Sequence, residues 1–249
     1  MISVDCWDTI LANPRHLDER IDQLIAEFIH DNHRSLPWRE IESVIAAEAR
    51  EFLYHLKQAD SKMTSTDRAM RVLAIAGIGK TDPCTRRGLA DSLNDMIDGA
   101  LLEFPTEPLP GAIEFLQHAA ACAIPVAMVS NTGWLSPRAV TSTVGNLALD
   151  TYFSDLLFSG DGYLPKPDAQ MFKLLLDQHR CHPAQAVHVG DNPDTDQAGA
   201  RRIGMHSITL SREVDSNPGV VGELEGRVRC RVGSLQEAIS IVNTLGSGS

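Results

Sequence analysis

The sequence predicts an α/β protein: a parallel sheet flanked by helices, with an all-helical unit inserted after the first strand. Three observations predict it. The chain opens on a short apolar strand that ends in an aspartate, residues 14–104 carry helical periodicity with no strand among them, and from residue 112 short apolar strands alternate with helices. Alternation of that kind implies βαβ units joined by right-handed crossovers.

Ile2 and Val4 are β-formers that lead into a polar turn, so Asp5 is expected at the carboxyl edge of the first strand, where open α/β sheets place their ligands. From Leu17 to about Asn32, Leu17, Ile21, Leu24, Ile25, Phe28 and Ile29 recur at three- and four-residue spacing, which predicts an amphipathic helix. Pro37 opens a second helix that buries Ile41, Val44, Phe52 and Leu56; Ser65 or Thr66 caps a third that stops at Gly77-Ile78-Gly79. A fourth runs from about Thr85 through Leu101. The proline-rich stretch from Phe104 to Gly111 marks a boundary, dividing the chain into a core of residues 1–13 and 105–249 and a helical insertion of residues 14–104.

Beyond that boundary, Ala112 to Ala121 reads as a helix, and Ile124 to Val129 as a buried strand that ends at Ser130-Asn131-Thr132-Gly133-Trp134. A helix near Pro137 to Val144 precedes a short strand at Leu156 to Ser159, and Lys166-Pro167-Asp168 opens a helix carrying Met171, Phe172, Leu175 and Leu176. The next strand, Ala186 to Val189, ends at Gly190-Asp191-Asn192-Pro193-Asp194-Thr195-Asp196, followed by a helix from about Gln197 to Arg202 and a strand from Met205 to Leu210. Ser211 to Arg231 reads as loop, Leu235 to Leu245 as a terminal helix, and Gly246 to Ser249 as a flexible tail.

Composition narrows the functional classes. With 249 residues and 43% hydrophobic content the chain is long enough for a full core, and its formal net charge of -11 argues against bulk nucleic acid as a partner. Five scattered cysteines, odd in number and without a CxxC pair, suit a reducing compartment and read as small core residues. No apolar run approaches the length of a membrane span and no basic leader opens the chain, so the expectation is a cytoplasmic protein, monomer or homodimer, with no membrane partner.

The chemistry lies at the strand ends. Asp5, Ser130 and Asp191 each follow a predicted strand directly, so a parallel sheet brings all three to one edge, where Lys166 at a helix N-terminus can join them. Taken singly, the aspartate reads as a turn or cap residue, Ser130 as a strand-end residue and Lys166 as a surface lysine. Taken together, Asp5, the pair Asp191 and Asp196, a hydroxyl and an ammonium suit phosphoryl transfer. The carboxylates would hold Mg²⁺, Ser130, the backbone N–H groups near Asn131 and Lys166 would neutralise phosphate oxygens, and Asp5 would attack phosphorus. His188 reads as a hydrogen-bonded core residue, and Trp134 as either pocket wall or packing.

In order, separation and strand context, the motifs Asp5-Cys6-Trp7-Asp8-Thr9, Ser130-Asn131-Thr132, Lys166-Pro167-Asp168 and Gly190-Asp191-Asn192-Pro193-Asp194-Thr195-Asp196 resemble those of the haloacid dehalogenase (HAD) superfamily. The resemblance covers Met1 to about Leu210. It implies a Rossmann-like core, a C1-type helical cap that selects substrate, and Mg²⁺ held by Asp5, the backbone carbonyl of Trp7, Asp191 and Asp196. It implies Asp5, Ser130 and Lys166 as catalytic residues, with Trp7, Asn131, Thr132 and the cap residue His16 as candidates for contact with a small phosphorylated metabolite.

One position departs from the pattern. Phosphatases of the family carry a second aspartate two residues after the nucleophile as general acid, and here that residue is Trp7, with Asp8 one place later. Loss of a positioned acid costs about 10²–10⁴ in rate, mainly on alkyl esters whose leaving groups need a proton. The expected activity is therefore hydrolysis of a phosphate with a good leaving group, or of an ester protonated by Asp8 or by the cap, with His16 the nearest candidate. The alternatives are carbon–halogen cleavage, which an aromatic residue at position 7 suits, phosphonate cleavage with a cap lysine (Lys57, Lys62 or Lys80), and a ligand- or protein-binding module without turnover.

Overall fold

The computed structural model describes residues 1–79, 82–211, 222–224 and 227–246. Its centre is a seven-stranded sheet, in which β1 (Ile2–Val4) lies between β2 (Val126–Ser130) and β4 (Val187–Gly190). β3 (Phe153–Phe158) lies outside β2, and β5 (His206–Leu210), β7 (Arg227–Val232) and β6 (Gly222–Leu224) continue the sheet beyond β4. All neighbours are parallel except β6, which runs antiparallel to β7. Val4 stands opposite Met128 on one side and Val189 on the other, so the three strands end level. The chain winds outward from β1 through β2 to β3 and then crosses to β4 on the other side. Asp5 therefore stands at the switch point, where the diverging connections leave a crevice.

Period-two alternation divides the core. Val126 and Met128 join one buried cluster with Val4, Phe115 and Leu116, while Ala127 and Val129 join another with Met171, Phe172 and Leu175. The first face is covered by α5 (Ala112–Ala121), α6 (Pro137–Asn146) and α9 (Leu235–Gly246), and the second by α7 (Gln170–Gln178) and α8 (Ala198–Arg202).

Between β1 and β2 lie α1 (Leu17–Asn32), α2 (Trp38–Gln58), α3 (Ser65–Ile75) and α4 (Pro83–Glu103), each packed on the next and α4 closing back on α1. Ile21, Ile25, Ile41, Leu73, Leu93 and Ile97 fill the space between them, in the spacing that the sequence displays. Polar residues set the ends. Thr64 accepts from the Asp67 N–H in a reciprocal capping box, and Asp82 accepts from the Cys84 N–H ahead of Pro83.

Several sequence expectations are corrected. The third and fourth helices begin at Ser65, capped by Thr64 rather than Ser65 or Thr66, and at Pro83 rather than Thr85, because the caps precede the first apolar residues. The strand expected at Leu156 to Ser159 is Phe153–Phe158. The stretch expected as loop from Ser211 to Arg231 contains β6 and the greater part of β7, whose side chains alternate Arg with Val or Cys: Cys230 and Val232 are buried while Arg231 is exposed. A wide helical turn at Pro193–Gln197, capped by Asn192, precedes α8. Only Cys6 and Cys230 of the five cysteines are buried; Cys84 and Cys122 are exposed. Residues 247–249 of the expected tail lie outside the described residues, as does Lys80.

Candidate active site

The carboxyl edge of β1, β2 and β4 gathers Asp5, Ser130 and Asp191, and the loop before α7 delivers Lys166 among them. Lys166 is 1% exposed, and its ammonium donates to Asp5 Oδ1 at 2.5 Å, Asp196 Oδ1 at 2.6 Å and the Val129 carbonyl at 2.7 Å. Its three protons are thus all used, which fixes the direction of the side chain. The loop itself is clamped by Asn131, whose Oδ1 accepts the Lys166 N–H and whose Nδ2 donates to the Lys166 carbonyl, each at 2.9 Å. The Asn131 side chain is therefore oriented by the Lys166 backbone, and it still has one Nδ2 proton to offer the adjoining cleft.

Asp196 sits on the wide turn after β4. Its Oδ1 accepts from Lys166 and from His188 Nε2 at 3.1 Å, and its Oδ2 accepts the Asn192 N–H at 3.0 Å. Gly190 makes room for it: a Cβ there would stand 2.3 Å from Asp196 Cγ. The Ser130 hydroxyl is buried beside Asp5, whose charged form it favours, and it makes no other hydrogen bond among the described residues, so it can turn to a ligand oxygen. Thr132 is also buried, its N–H donating to Ser159 Oγ at 3.3 Å.

Charge in the cluster is unbalanced. Oxygens of Asp5, Asp191 and Asp196 lie within 4.8 Å of one another, against the single ammonium of Lys166. Burial alone pulls the Lys166 ammonium down, but Asp196 and Asp5 outweigh it and hold the proton more tightly than in a free lysine. Burial pushes Asp196 up, yet the Lys166 charge and the His188 hydrogen bond prevail and keep it ionised well below the usual carboxylate range. Asp5 is raised, burial and the Asp196 charge exceeding the relief from Lys166. Asp191, with no ammonium of its own, is pushed up to about 7 by burial and then by the charges of Asp5 and Asp196.

The donor set fits a hard divalent cation. It is all oxygen, it carries excess negative charge, and the Trp7 carbonyl accepts no backbone hydrogen bond among the described residues. Asp196 is the most heavily used of the three carboxylates, with one lone pair of Oδ2 left to offer.

Asp8, at φ 54°, borders the cluster: it lines a cleft of about 380 Å³ together with Asp191, Thr209 and Arg231, and its charge adds to those that raise the Asp191 carboxyl. The His16 ring is turned to Glu19 at 2.5 Å and its side chain is 70% exposed, so the structure does not bring it to the cluster. Trp7 faces the other way from Asp8, into a cleft of about 370 Å³ between α1–α3 and the loop after β2, lined also by Asp22, Phe52, Arg68, Thr132 and Trp134. Such a volume suits a small molecule. Arg68 donates Nε and Nη2 to Glu48 at 2.9 and 2.7 Å and is stacked between the Phe52 and Trp134 rings, 3.6 and 3.8 Å from their centroids.

Sequence reasoning missed Asp22 and the Arg68–Glu48 pair in this cleft and the contact of His188 with Asp196. A signal for His188 existed: Ser3 and His188 are the lone polar residues of two apolar strands, and the register sets them side by side.

An aspartate at the switch point of a parallel sheet, with a serine, a lysine and a further aspartate pair on neighbouring strand ends, defines a hydrolase class in which a carboxylate stands at the centre of the site. The chain belongs to the haloacid dehalogenase-like hydrolases, whose family model matches residues 2–204. It is 34% identical over 102 residues to human haloacid dehalogenase-like hydrolase domain-containing protein 3, covering 41% of this chain and 39% of that protein. It is 28% identical over 151 residues to the phosphoserine phosphatase of Thermus thermophilus, covering 60% of this chain and 57% of the relative. Among solved structures, a 2-haloacid dehalogenase from Pseudomonas syringae superposes with a TM-score of 0.67 at 17% identity, covering 98% of this chain and 97% of that one. An HAD phosphatase from Thermococcus onnurineus gives 0.61 at 17% identity, covering 97% and 96%. At that identity the superpositions speak for the fold. No helix among the described residues is long and apolar enough to cross a membrane.

Proposed function

We propose that this hydrolase is a Mg²⁺-dependent phosphohydrolase acting on a small phosphorylated metabolite through a phosphoryl group carried on Asp5. The observation that carries the reading is the convergence of Asp5, Asp191 and Asp196 around a single ammonium, which places beside the Asp5 nucleophile a further carboxylate, Asp191, that a metal-free carbon–halogen hydrolase would not need. Asp5, Asp191, the Trp7 carbonyl and the remaining Oδ2 lone pair of Asp196 would hold the cation. When bound, it supplies positive charge that offsets the developing charge on the phosphoryl oxygens.

The chain's own groups do the rest. Lys166 holds Asp5 Oδ1 at 2.5 Å, which leaves Oδ2 to attack phosphorus. The oxygen–phosphorus bond to the leaving group breaks as the bond to Asp5 forms; the Ser130 hydroxyl stabilises the equatorial oxygens by hydrogen bonding and Lys166, its protons committed, by its charge. Water then attacks the phosphoryl group on Asp5, releasing phosphate and restoring the carboxylate. With Trp7 in place of an acid, the favoured substrates are those whose leaving group departs without a proton. The helical unit, residues 14–104, acts as the cap, and Trp7, Phe52, Arg68 and Trp134 form the wall against which the leaving group rests.

The test is phosphate release from acetyl phosphate, p-nitrophenyl phosphate and alkyl monophosphates, with Mg²⁺ and with EDTA. Turnover that needs Mg²⁺ and favours the first two supports the reading. Halide release from 2-haloacids in EDTA, with no phosphate release, would replace it with the dehalogenase reading that Trp7 motivates.

A further inference from the structure

We propose that His188 is a positioning residue of this site, its Nε2–H holding Asp196 so that Asp196 in turn holds Lys166 against Asp5. This rests on the phosphohydrolase reading for its kinetic consequence and on geometry alone for the hydrogen-bond relay.

His188 is fully buried on β4, and each ring nitrogen has one polar partner: Nε2 meets Asp196 Oδ1 at 3.1 Å and Nδ1 meets Ser3 Oγ at 2.9 Å. The partners dictate the tautomer. An ionised carboxylate only accepts, so Nε2 carries the proton, and the Ser3 hydroxyl donates to the bare Nδ1. A continuous relay results, running from Ser3 on β1 through His188 to Asp196, where Lys166 donates from the far side at 2.6 Å and reaches Asp5 with another proton at 2.5 Å. Asp196 Oδ1 is thus gripped from two directions while the Asn192 N–H holds Oδ2, so the carboxylate cannot rotate away from the ammonium.

Packing does not explain an imidazole here. The ring meets Phe172 edge-on, with centroids 4.8 Å apart, against an apolar cluster that includes Val129, Met171 and Leu175 and asks for no polar group. What an apolar residue would not do is orient Asp196. Outer-shell partners that orient a functional carboxylate typically change activity by about 10–100-fold when removed.

The experiment uses the full chain and two variants. His188→Met removes the donor at similar volume, and His188→Gln keeps an amide donor that reaches toward Asp196. On p-nitrophenyl phosphate with Mg²⁺, the expected result is a fall in kcat of about 10–100-fold for the methionine variant at nearly unchanged KM, with glutamine recovering most of the loss. Equal activity of wild type and the methionine variant would overturn the proposal, as would equal losses in both variants. Nitrogen-15 spectroscopy of wild-type His188 supplies a readout free of turnover. A neutral ring protonated at Nε2 supports the relay; protonation at Nδ1, alone or together with Nε2, overturns it. A wild type that shows the Nε2–H ring but releases no phosphate would refute the phosphohydrolase reading and not the relay.

Discussion

Replacing Lys166 with methionine removes one charge from the most buried part of the site and leaves two behind. The methionine keeps the length and most of the volume of the side chain. Asp5 and Asp196, 7% and 3% exposed, lose the ammonium that lies at 2.5 and 2.6 Å between them. Breaking a buried ion pair from one side costs about 3–5 kcal/mol, and for a chain of this size each kcal/mol lowers Tm by about 2–4 °C, so the deficit at neutral pH comes to about 6–20 °C. Its pH dependence has a definite sign. In the wild type the folded Lys166 pKa is raised, so its stabilisation is complete below the ordinary lysine value and is lost only as pH rises through the folded one. It is therefore constant between pH 5 and 8. In the variant, Asp5 is already raised by burial and Asp196 loses the charge that keeps it low, so the folded state binds protons more tightly than the unfolded state and stability falls as pH rises. Thermal unfolding followed by circular dichroism in EDTA should show a larger deficit at pH 8 than at pH 5. A deficit below about 1 kcal/mol, the scale of an exposed pair, or one equal at both pH values would refute this account of the cluster.

Three other substitutions probe neighbouring features. Gly190→Ala places a methyl 2.3 Å from Asp196 Cγ, so urea unfolding should show a loss of about 1–3 kcal/mol and kcat should fall with it; an alanine variant with wild-type kcat would mean that the position of Asp196 is immaterial. Trp7→Asp returns a carboxyl group to the place where an acid is missing, and the rate on alkyl phosphates relative to acetyl phosphate should rise toward the about 10²–10⁴ that a positioned acid supplies, whereas an unchanged ratio would show that another group already protonates the leaving oxygen. Glu48→Gln strips the buried Arg68 guanidinium of its counter-ion and should cost about 3–5 kcal/mol in urea unfolding, while Glu48→Leu combined with Arg68→Met should cost less than the single change. A double variant that is the less stable of the two would contradict this.

The parts of the fold legible in the sequence were those with a clean period. Helical spacing marked α1 through α4, and short apolar runs ending in Asp5, Ser130 or Asp191 marked β1, β2 and β4, because strand ends in a parallel sheet must share an edge. β7 was hidden because Arg227, Arg229 and Arg231 alternate with Val228, Cys230 and Val232, a half-exposed pattern whose charges read as loop. The strand-end cluster was legible as a set of residues and illegible as a network. That Asn131 spends its side chain on the Lys166 backbone, or that Asp196 is held by His188, depends on side-chain directions that spacing does not encode. The helical insertion was harder still: periodicity places Asp22, Glu48 and Arg68 on helices but does not say which helix faces the core, and His16, close to Asp5 in sequence, turns out to face solvent and Glu19.

The proposed function turns on a phosphoryl group carried by Asp5, and that group can be looked for directly. Wild type and Asp5→Asn would be mixed with acetyl phosphate and Mg²⁺, quenched in acid within milliseconds, digested and mapped by mass spectrometry. One phosphoryl group is expected on the wild-type peptide that contains Asp5, appearing no later than the first turnover and absent from both the variant and an EDTA control. Phosphate release by the Asp5→Asn variant at the wild-type rate, or a phosphoryl group on any other residue, would contradict it.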